Sequence, residues 1–512
     1  MSRPNVLWIM TDQFNANCMS HLGSQCRTPN LDRLAADGVC FERAYANNPI
    51  CAPSRTCFMT GQYLHTHGLQ GNYTTLYPHQ NPRSLAALFR RNGWRTALTG
   101  KAHMPRIWNE EGFERIRYTD LIDSLPGDPT TCHYFRYLEQ NGLAGWYEEG
   151  TARPGAPRPD DGSRPSHLPY EHSIERFTGR ETLRFLREGV NDERPFFIHM
   201  SFQRPHGPIR PAPEYFDLYD PEDIELPESA VDWFERDFAT KPEFIRERLR
   251  GGCGYPLADK DPAPLKRVLA GYYALIHCID MEIGRVLDWL DEHGEYENTI
   301  VVFTADHGDF AGEHGLFHKN LGIYESVQRI PFLLRMPGGP EGESREGIIE
   351  SVDLYPTLCD LSGLEVPEAV EGRSVVPLAH GRGEGKEEAL AEWDWHGPAG
   401  RINALRTDRY RLVYYSHRIG GELYDHESDP GELSNLWDDP HYADARRDLT
   451  ERLFDRVNRY RSNFGVQDDR ELRHRHRYEP SRLVQFGQVD WEEFKKVCEK
   501  NHPARPSVWE EE

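Results

Sequence analysis

At 512 residues the chain is too long for one ordinary core and suits a large α/β domain joined to a smaller one. Hydrophobic residues make up 38% and charged residues 28%, the balance of a soluble globular protein. The net charge of -23 argues against nucleic acid or an anionic membrane surface as partner.

An anionic substrate would then need a local positive pocket against the overall field. No apolar run approaches the roughly 18 residues of a membrane span. The ten cysteines are scattered without C-x-x-C spacing, which suits free thiols better than a disulfide frame or a zinc site. The opening residues enter a strand pattern at once, and the expectation is a cytoplasmic protein.

Asn5-Val6-Leu7-Trp8-Ile9-Met10 reads as a parallel strand buried on both faces. It runs into Thr11-Asp12-Gln13. A carboxylate at the carboxyl end of a central strand lies where open α/β sheets bind ligands, although a turn or cap Asp is the plainer alternative. Residues 28–35 read as a helix capped at Thr28, and residues 41–45 as a short strand. The stretch Cys51-Ala52-Pro53-Ser54-Arg55 then reads as a helix start, because Pro53 fits a first turn. A thiol at a helix N-terminus beside Arg55 is in an electropositive spot that favours an anion. A buried structural cysteine is the other reading. Asn72 follows in a loop.

Residues 84–93 have a helical pattern with a glycine stop. The next buried strand, 94–99, leads to Gly100-Lys101-Ala102-His103, where Lys101 and His103 can both point into one cleft. Residues 105–175 are rich in proline, glycine and charge and read as insertion loops over the active-site face. A helix over 173–188 and a strand over 195–202 follow. The strand leads to Arg204-Pro205-His206-Gly207-Pro208, a stiff loop suited to holding an imidazole. A helix near 265–293 has apolar positions at helical spacing and reads as core. The strand 299–305 ends in Asp306-His307-Gly308-Asp309, and Lys319 follows. Residues 329–335 read as one more core strand. A glycine- and charge-rich stretch near 380–388 marks a boundary. Short strands at 410–415 and 422–425 and a charged helix over 442–461 come next. The expected division is a catalytic domain over 1–382, a small antiparallel-sheet domain over 383–465 and a tail over 466–512. The tail can wrap a neighbouring copy, giving a homo-oligomer, or its own subunit.

Cys51-Ala52-Pro53-Ser54-Arg55, closed by Thr60-Gly61, resembles the modification motif of the sulfatases, formylglycine-dependent enzymes of the alkaline phosphatase superfamily. Thr56 stands where that family more often has Ala or Ser. The resemblance implies a large mixed, mostly parallel sheet flanked by helices, alkaline phosphatase-like, with a smaller C-terminal α+β domain. It implies that a formylglycine-generating enzyme oxidises Cys51, whose hydrated aldehyde is the nucleophile. By the same resemblance Asp12, Asp306 and His307 hold one divalent metal with residue 51. Gln13 stands in place of a second Asp, so one negative charge is missing. Lys101, Lys319 and Asn72 would contact sulfate, and Arg55 would hold sulfate or the geminal diol. His206, with Lys319 as the alternative, would protonate the leaving oxygen, and His103 would take the remaining hydroxyl proton. Calcium is the family default; His307 and the missing carboxylate tilt toward manganese.

The expected activity is hydrolysis of a small sulfate ester to an alcohol and sulfate. The runner-up is a phosphonate monoester or phosphodiester hydrolase of the same superfamily, which Gln13 and His307 fit. An idle sulfate-binding protein would result if Cys51 were never modified. Trp393, Trp395 and His396 would either line the pocket or pack in the C-terminal domain.

Overall fold

Every residue of the strand formed by Asn5–Asp12 is buried, as a doubly covered central strand requires. The computed structural model describes residues 3–69, 71–72, 84–103, 112–120, 132–146, 163–250, 260–319, 322–394, 400–416 and 420–461. Residues 105–111, 121–131 and 147–162 of the 105–175 stretch, Trp395, His396 and the tail from 466 lie outside these residues. Among the described residues no helix is long and apolar enough to cross a membrane.

The strands are β1 (Asn5–Asp12), β2 (Val39–Phe41), β3 (Ala44–Tyr45), β4 (Arg95–Gly100), β5 (Arg115–Tyr118), β6 (Phe196–Pro205), β7 (Thr299–Ala305), β8 (Arg329–Ile330), β9 (Phe332–Arg335), β10 (Glu343–Arg345), β11 (Ile349–Glu350), β12 (Glu388–Asp394), β13 (Arg401–Thr407), β14 (Tyr410–Tyr415) and β15 (Gly421–Asp425). The large sheet has the order β10-β2-β9-β7-β1-β6-β4-β5. Its centre, β7-β1-β6-β4, is all parallel. β9 runs antiparallel to β7 and to β2, which makes the sheet mixed.

Four parallel neighbours end on one edge. Asp12 therefore emerges beside Pro205 in the pairing register, and Thr11 beside Ala305. The segments after β1, β6, β7 and β4 carry Gln13, His206, Asp306 and Lys101. The edge where a parallel sheet gathers its strand ends is where ligands bind.

The long helix Ala263–Glu292 covers the sheet with a nearly continuous buried face, including Leu269, Leu275, Ile279 and Leu287. It also caps its neighbour. Thr28 was expected to cap the helix Pro29–Ala36, but its side chain makes no capping bond. Its hydroxyl accepts from Ser20 N instead, at 2.9 Å. The buried carboxylate of Asp280 takes the open N–H groups of Asn30, at 3.1 Å, and Leu31, at 2.8 Å.

Two expected strands are each split. Residues 41–45 divide between β2 in the large sheet and β3 in a three-stranded sheet ordered β11-β3-β8. Residues 329–335 break at Pro331, which has no N–H for a ladder. β8 pairs with β3, while β9 joins the large sheet.

The antiparallel meander β12-β13-β14-β15 forms the smaller unit. Its alternating side chains separate cleanly. Leu390, Leu405, Leu412 and Leu423 pack with Leu449 and Leu453 of the helix Ala443–Arg461. Ala391, Ala404 and Val413 pack the other way, onto Ile50 and Ile323. Trp393 belongs to that second cluster, and so serves as packing beside Ile50.

Buried charge ties this meander to the rest. Glu350 receives Lys386 Nζ at 2.6 Å, Arg456 Nη2 at 2.8 Å and the Tyr63 hydroxyl at 2.6 Å. It also accepts from Asn47 Nδ2 at 2.8 Å and Leu390 N at 2.7 Å. Burial alone would raise its pKa; Arg456 and Lys386 outweigh burial and hold it at about 2. A carboxylate held below its ordinary 4.5 stabilises the fold above that pH and loses the contribution as pH falls toward about 2. Melting temperature, followed by calorimetry across that window, is expected to fall steeply with acid. Glu350→Gln should lower stability at neutral pH by about 3 kcal/mol, since Lys386 and Arg456 lose a shared buried counter-charge but keep Asp353 and Glu388. The same variant should flatten the acid dependence.

Candidate active site

Cys51 is the first residue of the helix Cys51–Thr60, all of whose residues are buried. The carbonyl of Ile50 accepts from Ser54 N at 3.0 Å and closes the first turn. Two amides tie down the residues around Cys51. Asn48 Oδ1 accepts from Ile50 N at 2.7 Å, and Asn72 Oδ1 from Ala52 N at 3.1 Å. Asn72, expected at the sulfate, thus caps the Cys51 helix in this structure.

The Cys51 sulfur lies 3.0 Å from Lys319 Nζ, 3.3 Å from His307 Nε2 and 3.6 Å from Asp12 Oδ1. Burial, with Asp12 beside it, pushes the thiol pKa up to about 11. The cations predicted around it are present, but burial and Asp12 outweigh them. The electropositive spot expected here therefore holds its cations, while burial keeps the thiol itself in its protonated form, a weak nucleophile.

Arg55, one turn on, is the hub of the charges. Its Nε donates to Asp306 Oδ2 at 2.8 Å, and its Nη2 lies 3.5 Å from Asp12 Oδ2. Its Nη1 donates to Ser201 Oγ at 2.8 Å and to Lys101 O at 3.1 Å. One guanidinium therefore touches the end of β1, the middle of β6 at Ser201 and the segments after β4 and β7. Asp12 is held well below the usual carboxylate range. Burial opposes that shift, and Lys101, His206, Lys319 and Arg55 overcome it. Lys101 Nζ sits 2.5 Å from Asp12 Oδ2.

His307 Nδ1 lies 2.8 Å from Gly308 O. A carbonyl only accepts, so Nδ1 carries the hydrogen and Nε2 presents a lone pair. That lone pair faces Asp306 Oδ1 at 3.6 Å and Asp12 Oδ1 at 3.8 Å. Burial lowers the imidazole pKa to about 4. Asp12, Cys51, Asp306 and His307 each offer one ligand atom, all within 4.8 Å of one another. Two carboxylates, a neutral imidazole and a fourth donor are chemistry that fits a divalent cation. Lys319 Nζ rests 2.9 Å from His307 Nε2, so the cluster already draws positive charge to itself.

The loop after β4 carries Lys101 and His103. Gly100 has φ +104, and a Cβ there would meet Ser201 O at 1.7 Å, so only glycine fits this close crossing. Asp120 then accepts from Ala102 N at 2.7 Å and His103 N at 3.2 Å. His103 is buried at φ 46, its pKa pushed well down by burial and Lys101. His206 is half-buried and keeps Nδ1 2.8 Å from Gly207 O. Burial and Lys319 hold its pKa well below the ordinary value.

Gln13 does more than leave a charge out. Its Nε2 donates to Asp309 Oδ2 at 2.5 Å and lies 3.0 Å from His318 Nδ1. Its backbone N–H donates to Asp306 Oδ1 at 3.0 Å, and its carbonyl accepts from Tyr272 OH at 2.7 Å. Asp309, His318 and Tyr272 were not singled out in the sequence. Asp309 and His318 each sit within two residues of a motif residue, a signal that could have found them. A second carboxylate–imidazole group, Glu325, His426 and Glu432, is tied up by arginine. Arg406 Nε lies 3.0 Å from Glu325 and Arg411 Nε 2.5 Å from Glu432.

Comparison with known proteins agrees with this geometry. The sulfatase family model matches residues 4–364, and the model for the C-terminal part of N-sulphoglucosamine sulphohydrolase matches residues 312–459. An arylsulfatase of Clostridium perfringens is 32% identical, over 86% of this chain and 92% of its own. The multifunctional alkaline phosphatase superfamily protein PehA of Trinickia caryophylli is 31% identical, over 88% and 95%. The solved phosphonate monoester hydrolase of Silicibacter pomeroyi superposes with a TM-score of 0.77 at 27% identity, covering 89% of this chain and 96% of that one. Motif, sheet and relatives agree: the chain belongs to the sulfatase family, as a sulfuric ester hydrolase with the alkaline phosphatase-like fold.

Proposed function

We propose that the protein hydrolyses a small sulfate ester to an alcohol and sulfate, using formylglycine made from Cys51 and one divalent cation. The observation that carries this reading is the place of the Cys51 sulfur. It is itself one of the four clustered ligand atoms and also touches Lys319. Nucleophile, metal donors and anion-binding cations thus share one centre.

Asp12, Asp306, His307 and residue 51 would hold the cation. When bound, such an ion neutralises charge on the sulfate oxygens and lowers the pKa of a hydroxyl on residue 51. Lys101, Lys319 and Arg55 set three cations against the two carboxylates, which gives a local positive field in a chain of net charge -23. Asn72 at the helix start lies close enough to residue 51 to join the sulfate contacts. His206 protonates the leaving alcohol from Nε2. Its low pKa in the free protein comes from burial and Lys319, and an anionic ester beside it offsets both. A hydroxyl of hydrated residue 51 bonds to sulfur as the ester S–O bond breaks. His103 then takes the proton of the second hydroxyl, whose oxygen becomes the aldehyde carbonyl as the carbon–oxygen bond to sulfate breaks and sulfate departs. A buried thiol with a pKa near about 11 does poorly as nucleophile, and that is the physical case for its conversion.

Calcium is the ion of the family reading; manganese is the alternative that the imidazole donor favours. A separate formylglycine-generating enzyme is the required partner. A reducing compartment such as the cytoplasm belongs to this reading, supported by ten cysteines scattered without C-x-x-C spacing. The second reading is a phosphonate monoester or phosphodiester hydrolase. Gln13, His307 and the likeness to the Silicibacter enzyme favour it.

Protein co-expressed with a formylglycine-generating enzyme should yield a Cys51 peptide about 18 Da lighter than the unmodified form. It should turn over an aryl sulfate faster than an aryl phosphonate, and Cys51→Ala should lose both activities. Preference for the phosphonate would move the assignment to the second reading. An unmodified thiol with no turnover would remove both.

Chelation followed by dialysis should abolish turnover and lower the melting temperature, with recovery on adding calcium or manganese. Protons compete for His307 Nε2, so metal affinity measured by titration should weaken as pH falls toward about 4. His307→Ala should cost at least about tenfold in affinity.

A further inference from the structure

The loop that carries His206 is held by one buried arginine. Arg204 stands next to the end of β6, and only 5% of it is exposed. Its Nη1 donates to His206 O at 2.9 Å and also to Pro208 O. Its Nε faces Glu175 Oε1 at 3.7 Å, on the helix Ile174–Glu188, and Glu175 is equally buried. The two carbonyls that Arg204 grips flank Gly207. The Gly207 carbonyl between them is the one that lies 2.8 Å from His206 Nδ1. It can only accept, so it fixes the hydrogen on Nδ1 and leaves Nε2 for proton transfer. His318 also lies against Gly207, its Cε1 3.0 Å from where a Cβ would stand. The peptide groups around Gly207 are therefore held by Arg204 and by the His318 ring.

We propose that Arg204, charge-paired with Glu175, is a positioning residue that sets the tautomer and aim of His206 through the carbonyls of the 206–208 loop. The inference rests on the reading of His206 as the leaving-group acid. A packing arginine needs only a counter-charge. This one spends its hydrogen bonds on the peptides either side of the carbonyl that orients the imidazole. Both carbonyls are served by one guanidinium nitrogen, Nη1, while Nε on another edge faces Glu175; a lysine keeps the charge but has a single nitrogen and cannot serve the carbonyls and Glu175 at once.

The test is a leaving-group series. kcat and KM are measured on aryl sulfates whose phenols range from strongly to weakly acidic, for the matured wild type, Arg204→Lys and His206→Gln. Acid assistance matters little for a good leaving group and much for a poor one. Arg204→Lys is expected to leave the nitrophenyl ester nearly unchanged and to slow the phenyl ester by about 10–100-fold in kcat, with KM kept. His206→Gln should show the same steepening, and more of it. Equal loss across the series, or loss in KM alone, overturns the positioning role. Steepening in His206→Gln without any in Arg204→Lys overturns the inference and leaves the acid assignment standing. No steepening in His206→Gln overturns both. If Arg204→Lys does not fold, the charge-neutral pair Arg204→Met with Glu175→Gln takes its place. If that pair does not fold either, Arg204 is structural only and the proposal fails.

Discussion

Asp12 and Asp306 leave neighbouring parallel strands at the same edge, and both are fully buried. Two carboxylates driven together out of water repel and cannot stay ionised unless positive charge meets them. Arg55 supplies the first share, with its guanidinium reaching both. Lys101 supplies another at Asp12. This demand for positive charge explains most of the site. It fixes the helix that carries Arg55, and with it the position of Cys51 one turn earlier. It also brings Lys319 onto the Cys51 sulfur and His307. A bound dication would complete the same balance, and substrate sulfate would then meet the cations that remain.

Around this centre, the structure uses carbonyls and carboxylates to aim side chains and backbone. Gly308 O sets the His307 tautomer, and Gly207 O sets that of His206. Asp120 pins the backbone between Lys101 and His103. Gln13 and Asp309 brace the segment before Lys319. Imidazoles pushed toward the neutral form by burial are useful donors and acceptors only when oriented, and each has a fixed oxygen or backbone to orient it. The antiparallel meander belongs to this arrangement as well. It packs on Ile50, immediately before Cys51, and Asn47 reaches Glu350 and Leu390 O across the same junction.

Much of this was legible in the chain. The motif around Cys51, the strand ends carrying Asp12 and Asp306, and the Lys101, His103, His206 and Lys319 positions were all readable, because each is a local string with a local reason. The long core helix showed in its apolar spacing. The misreadings also have local causes. Residues 41–45 looked like one strand, since nothing in five residues tells which of two sheets each end will join. Thr28 looked like a cap, but a distant carboxylate, Asp280, took the bonds. The electropositive reading of Cys51 found its cations in place, but the thiol pKa is decided by burial, which no local string records.

The sequence by itself determined the family, the kind of sheet and the chemical groups of the site, since these rest on residue types and short spacings. Only the tertiary structure decided how the groups meet. β7, β1, β6 and β4 are adjacent although they are far apart in the chain, and that order puts Asp306, Asp12, His206 and Lys101 on one edge. The roles of Arg204, Asp120, Asp309 and Gln13 follow from hydrogen bonds to backbone groups near other motifs. Such contacts leave no periodic trace in the sequence, because they depend on where separate segments end in space.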